Sequence, residues 1–178
     1  MKARYLIALG SNVRHPRYGA PPQVLRAALE ALDHEKRIGL ATASRIVASA
    51  PLGPPNGPAH RRYANAAAIV HSKLDPPALL ARLHALEHRF ARRRRGRRWS
   101  SRTLDLDIVL WSGGPWASPG LTIPHPAFRE REFVLAPSLA IARDWRDPLT
   151  GHSIAHLAAR LHRPCPLVRL VDRHHARA

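Results

Sequence analysis

The chain has 178 residues, 45% of them hydrophobic, enough for one domain that buries its core without disulfide or metal staples. Its 29 Lys and Arg against 12 Asp and Glu give a formal net charge of +17, which calls for an anionic partner: nucleic acid, membrane headgroups or a polyphosphate ligand. No run approaches the roughly 18 apolar residues of a membrane span, the first apolar stretch is too short for a secretory signal, and a single cysteine, Cys165, leaves no internal disulfide, so a cytoplasmic protein with no membrane partner is expected.

Residues 4–9 are apolar enough for a buried strand, ended by the turn signal Gly10-Ser11-Asn12. Residues 13–21 read as a loop. From Pro22 to Leu32 the apolar positions Val24, Leu25, Ala28, Leu29 and Leu32 keep helical spacing. A β-branched stretch from Ile38 to Val47 predicts the next strand, followed by a proline- and glycine-rich loop from Ala50 to Pro58, and Tyr63 to Val70 reads as a third strand. Asp75 is placed as an N-cap with Pro76 in the first turn, where a missing N–H costs nothing. Leu79, Leu83, Leu86 and Phe90 then form one face of a second helix. That helix runs into Arg92-Arg93-Arg94-Arg95-Gly96-Arg97-Arg98-Trp99, and a strand follows from Leu104 to Trp111. The order β-α-β-β-α-β predicts an α+β, ferredoxin-like fold with an antiparallel sheet and both helices on one face. Beyond it lie a turn at Pro124-His125-Pro126 and extra C-terminal helices near 128–142 and 153–162.

Alternation along the strand 104–110 sends Leu104, Leu106, Ile108 and Leu110 to one side and Asp105 and Asp107 to the other, about 7 Å apart. Two adjacent carboxylates repel unless a cation lies between them. Oxygen ligands with room for water and phosphate suit Mg²⁺. On Asp-x-Asp alone, a pair of solvated acids on an outer strand face is the better reading. The context reverses that, because this acid-poor chain sets both acids directly after its densest arginine cluster. Arginines grip phosphate oxygens in bidentate fashion. Cations on one side and paired acids on the other make a polyphosphate clamp rather than a plain basic patch. A nucleic-acid surface with Trp99 as a stacking platform is the competing reading of the run, but it has no use for Asp105 and Asp107. His152 and His156 stand four apart without a third ligand, which makes zinc a poor fit. There is no P-loop and no nucleophile-elbow signature.

Several segments, in order, resemble the 6-hydroxymethyl-7,8-dihydropterin pyrophosphokinase family: Tyr5-Leu6-Ile7-Ala8-Leu9-Gly10-Ser11-Asn12, Ala50-Pro51-Leu52-Gly53, Tyr63-Ala64-Asn65, Arg98-Trp99-x-x-Arg102-Thr103-Leu104-Asp105-Leu106-Asp107, Ile123-Pro124-His125-Pro126 and Arg131-Glu132-Phe133-Val134-Leu135. The resemblance covers residues 4 to 142, and the block from Arg98 to Asp107 is its most specific part. It implies a ferredoxin-like fold and transfer of the β,γ-diphosphate of ATP to the pterin hydroxymethyl group in folate synthesis, with release of AMP. It further implies two Mg²⁺ ions on Asp105 and Asp107, with Arg92, Arg102, Asp105 and Asp107 carrying the chemistry. Glu87, Arg92, Arg94, Trp99, Arg102, Ile108, His125 and Arg131 would serve ATP. Ser49, Ala50, Leu52, Tyr63, Asn65, Trp99 and Phe133 would serve the pterin, with Tyr63 and Phe133 stacking on its ring. The loop after Gly10, the loop 50–62 and the loop 92–101 are read as lids.

The chain departs from the family pattern at Asn56 to Arg62, which is lengthened, at Ser100-Ser101, and at His84 and Ala91. Residues 1–162 are expected to form a single catalytic domain and 163–178 a basic tail. Two rival functions remain: a related diphosphokinase acting on a pterin of another pathway, or a nucleic-acid-binding protein using the arginine-rich segment.

Overall fold

A computed structural model describes residues 2–49, 63–90 and 103–161. Among the expected site residues, Ala50, Leu52, Arg92, Arg94, Trp99 and Arg102 lie outside the described residues, as do the loops 50–62 and 92–101 and the basic tail.

The elements follow the expected order. They are β1 (Ala3–Ser11), α1 (Pro21–Asp33), β2 (Ile38–Ala43), β3 (Val47–Ser49), β4 (Tyr63–Ser72), α2 (Pro76–Arg89), β5 (Asp105–Trp111), a small hairpin of β6 (Trp116–Ser118) and β7 (Leu121–Ile123), a 3₁₀ turn (Phe128–Glu130), α3 (Glu132–Ala142) and α4 (Ile154–Leu161). The main sheet runs β2-β4-β1-β5, with β3 also paired to β4, and every pairing is antiparallel. This is the ferredoxin-like arrangement: each split βαβ unit leaves a gap that a strand of the other unit fills.

The helices start where the sequence provides for it. Asp75 accepts a hydrogen bond from the Ala78 N–H at 2.9 Å, and prolines hold the first turns of both α1 and α2. Val24, Leu25, Ala28 and Leu32 of α1 and Leu79, Leu83 and Leu86 of α2 pack on Tyr5, Ile7, Leu9, Leu106 and Ile108. The opposite sheet face is covered too. There Leu6, Ala67, Ile69, Val109 and Leu110 meet Phe128, Val134 and Leu135, and Ile154 and Leu157 of α4. A central strand covered on both faces can be apolar throughout, which is why Ala66-Ala67-Ala68-Ile69-Val70 is buried without alternation.

Three local expectations change. The stretch 38–47 is two strands, because Ser44 interrupts the edge: its N–H donates to the Ala67 carbonyl and its Oγ accepts from the Ala67 N–H. Gly10 and Ser11 continue β1 instead of turning, since β4 pairs with both and β5 pairs with Gly10 from the other side. Leu110 does not share a face with Ile108. Leu6 pairs with Leu110 and Ile7 with Ile108, so Val109 is an extra, bulged residue that reverses the alternation beyond it.

Candidate functional site

The register places the candidate residues in rows across one sheet face. Val47, Asn65, Gly10 and Asp105 form one row; Ala67, Ala8 and Asp107 form the next; Ser49 and Tyr63 lie beyond Asn65. Paired residues of adjacent strands point to the same side, so the two aspartates, Asn65 and Tyr63 all face the α3 layer. Asn65 and Asp105 are separated by the width of β1, about 10 Å at ordinary strand spacing. Between them the floor consists of Gly10 and Ala8. A Cβ at Gly10 would lie 3.8 Å from the Asn65 Oδ1 and 3.9 Å from the Asp105 Cβ, so the missing side chain leaves free space where those two residues converge.

Each polar group has a supporting contact. Asn65 donates from Nδ2 to the Ser49 Oγ at 2.8 Å, which orients its amide and leaves Oδ1 toward Gly10. Asp105 and Asp107 bracket Leu106, whose N–H donates to Glu87 Oε1 at 2.8 Å. Glu87 is only 1% exposed. Its carboxylate thus occupies the open edge of β5 where a further strand would bond, and α2 fixes the piece of strand that carries both acids.

His125 arrives from the other side of the bulge. Its N–H donates to the Val109 carbonyl at 3.0 Å, after a cis Ile123–Pro124 bond, and its Nδ1 accepts from the Ala127 N–H at 3.3 Å. With Nδ1 accepting, the proton of the neutral ring sits on Nε2, which is therefore the donor. Burial pushes the His125 pKa down; Asp107 and Asp105 pull it up and Arg131 pushes it down, and the net direction is down. The ring stands close enough to feel all three charges. Arg131 caps the start of α3, and its guanidinium lies 5.7 Å from the centre of the Phe133 ring.

The two half-buried carboxylates share one face beside a floor without side chains, which fits a hard cation that keeps water and phosphate ligands. Among the described residues no group of three or more His, Cys, Asp and Glu could cage a metal. A cation on Asp105 and Asp107 would draw its remaining ligands from solvent and substrate.

A model of the family described as 7,8-dihydro-6-hydroxymethylpterin-pyrophosphokinase (HPPK) matches residues 6–143. The chain belongs to this family. A 2-amino-4-hydroxy-6-hydroxymethyldihydropteridine pyrophosphokinase of Haemophilus influenzae is 41% identical over 138 residues, 78% of this chain and 81% of the relative. The enzyme of the same name from Pseudomonas aeruginosa is 38% identical over 159 residues, 89% of this chain and 93% of the relative. The crystal structure of wild-type Plasmodium falciparum HPPK-DHPS superimposes with a TM-score of 0.64 at 12% identity, covering 90% of this chain. The chain spans 41% of that structure's chain, and the likeness speaks to the fold alone.

In this pyrophosphokinase the described site residues fall into two sets. Ser49, Tyr63, Asn65, Asp105 and Asp107 share a sheet face, and His125, Arg131 and Phe133 come to it from the segment that covers that face. Glu87 and Ile108 do not present their side chains on that face. The Ile108 side chain is buried against α1 and α2 on the reverse side, and Glu87 is turned to the strand backbone. Sequence reasoning passed over Gly10 and Ala8 as site residues; their spacing of two, opposite bulky Leu9, was the available signal. It also passed over the Val109 carbonyl, for which the sequence carries no local sign. In the loop after Gly10, read as a lid, His15 and Gly19 exchange backbone hydrogen bonds and Tyr18 stacks on Phe90 at the end of α2 with ring centres 4.6 Å apart.

Proposed function

We propose that this pyrophosphokinase transfers the β,γ-diphosphate of ATP to the hydroxymethyl oxygen of 6-hydroxymethyl-7,8-dihydropterin, giving AMP and the pterin diphosphate for folate synthesis. The observation that carries the reading is the row Asn65–Gly10–Asp105: a donor–acceptor amide and a metal-type carboxylate face one another across an open floor. That spacing suits a flat heterocycle whose amide edge meets Asn65 and whose side chain reaches the acids. Tyr63 and Phe133 would stack on the ring, and Ser49 holds the Asn65 amide in its reading orientation.

In the transfer, the pterin oxygen bonds to the β-phosphorus, the bond from that phosphorus to the oxygen it shares with the α-phosphate breaks, AMP leaves with that oxygen, and the hydroxyl proton passes to solvent. Asp105 and Asp107 would hold two Mg²⁺ ions, which, when bound, neutralise phosphate charge and make the hydroxyl more acidic. The chain's own part is positioning and charge. His125 offers an Nε2–H to a phosphate oxygen while staying neutral, Arg131 adds a fixed positive charge, and Glu87 keeps the aspartate strand in register. The motif assigns phosphate and adenine contacts also to Arg92, Arg94, Trp99 and Arg102, and pterin-pocket backbone to Ala50 and Leu52. The catalytic domain is residues 1–162 and the working compartment the cytoplasm; among the described residues no helix is long and apolar enough to cross a membrane.

A coupled assay of AMP release with ATP, with and without the pterin and Mg²⁺, tests the reading. AMP release must require both. Release that ignores the pterin, or an ATP analogue that binds equally well after chelation of Mg²⁺, removes the proposal.

A further inference from the structure

At the opposite end of β1 from Gly10, about 20 Å along the strand, lies a cavity of about 410 Å³ that the proposed reaction does not use. Its volume is in the range of small-molecule sites, roughly 300–1,000 Å³. Arg4 enters it from the sheet, and Arg143, Asp144, Trp145 and Arg146 from the link between α3 and α4. Ile69 and Ile141 supply apolar wall. Two segments some 140 residues apart in sequence thus line one cavity with three arginines and one aspartate.

The arrangement is held by the fold rather than by the ligand. The Trp145 N–H donates to the Ala142 carbonyl and the Trp145 carbonyl accepts from the Ile154 N–H, both at 3.0 Å, so the link is pinned between its two helices. The Arg4 guanidinium lies over the Trp145 ring, 5.1 Å from its centre, and Arg146 is anchored on the Gly151 carbonyl at 2.9 Å. Among the described residues neither Arg4 nor Arg143 pairs with a carboxylate. A guanidinium fixed on an aromatic face keeps its N–H donors for an anion. Asp144 offers the complementary group, an acceptor for a ligand hydroxyl or amine.

We propose that this cavity binds a phosphate monoester carried on a flat ring and hydroxylated spacer, the chemical class of nucleoside monophosphates, at a site separate from the aspartate centre. Arg4 and Arg143 take the phosphate, Asp144 a hydroxyl, and the apolar wall the ring. Uridine 5′-monophosphate is the probe of choice, because a ring other than adenine separates this site from the proposed ATP site. Titrated into the full chain and followed by amide and indole NMR shifts, it should perturb residues 143–146 and the Trp145 indole. The double variant Arg4→Gln/Arg143→Gln should weaken that binding at least tenfold while the AMP-release rate stays unchanged. Shifts spread over all exposed arginines, shifts centred on Asp105 and Asp107, or binding that survives the double variant each overturn the proposal. Inorganic phosphate or uridine alone matching the nucleotide would overturn the assignment of its class. Failure of the AMP-release assay leaves this titration unaffected, so the two readings fail separately.

Discussion

Glu87 and Leu106 meet through one hydrogen bond, 2.8 Å from backbone N–H to carboxylate oxygen, across the open edge of β5. Nineteen residues separate them in sequence, yet the contact sets the position of both aspartates that flank Leu106.

Glu87→Ala would leave a buried N–H without its acceptor, a loss on the order of 1–3 kcal/mol. Urea unfolding should show that drop, and turnover should fall further than the stability loss explains, because the Asp105–Asp107 strand loses its edge support. Glu87→Gln, which keeps an acceptor oxygen in place, should restore most of the turnover. A Gln variant as inactive as the Ala variant would show that the charge, not the strand, matters.

Asp105→Ala and Asp107→Ala should each abolish AMP release and leave the circular dichroism spectrum and melting temperature near those of the parent. Both carboxylates are only half-buried, so their removal opens no core cavity. A variant that unfolds, or one that keeps the parental rate, contradicts the assignment.

Gly10→Ala and Gly10→Leu separate folding from access. The backbone at Gly10 is ordinary strand, and the nearest atoms to an added Cβ are at 3.8 and 3.9 Å, so alanine should be tolerated in stability. Leucine would fill the floor between Asn65 and Asp105. Steady-state kinetics should show KM for the pterin rising with side-chain size while the alanine variant's unfolding midpoint stays near that of the parent. An unchanged KM in Gly10→Leu would mean that the substrate lies elsewhere.

Asp147 provides a pH-dependent brace between the 3₁₀ turn and the link from α3 to α4. It is fully buried and accepts two bonds from Arg129, at 2.8 and 2.9 Å, and others from Thr150 and from the Leu149 N–H. Burial raises its pKa, but these donors outweigh that, and the carboxyl titrates below the ordinary value of about 3.9. A lowered folded pKa means that the pair's contribution is complete above that ordinary value and disappears as pH falls through the lower one. Asp147→Asn should cost roughly 2–4 kcal/mol at neutral pH, since it strands the Arg129 charge. Unfolding curves should draw together with those of the parent as pH falls below the ordinary carboxyl value; a gap that stays constant through that fall would rule out the ion pair as its cause.

The sequence by itself determined the order of elements, the helix starts at Asp75 and the prolines, and the placement of Asp105 and Asp107 on one strand face. These rest on local periodicity and capping, which need only neighbours a few residues away. Tertiary structure alone decided the rest. Pairing from both sides turned Gly10 from a turn residue into the floor of the site. The bulge at Val109 reversed Leu110 and presented a carbonyl to His125, and the packing of α2 on β5 set the Glu87 carboxylate against the strand that carries both aspartates. Register and side-chain-to-backbone bonds join residues distant in sequence, and their energies depend on which partner arrives; no local pattern of residue types encodes that.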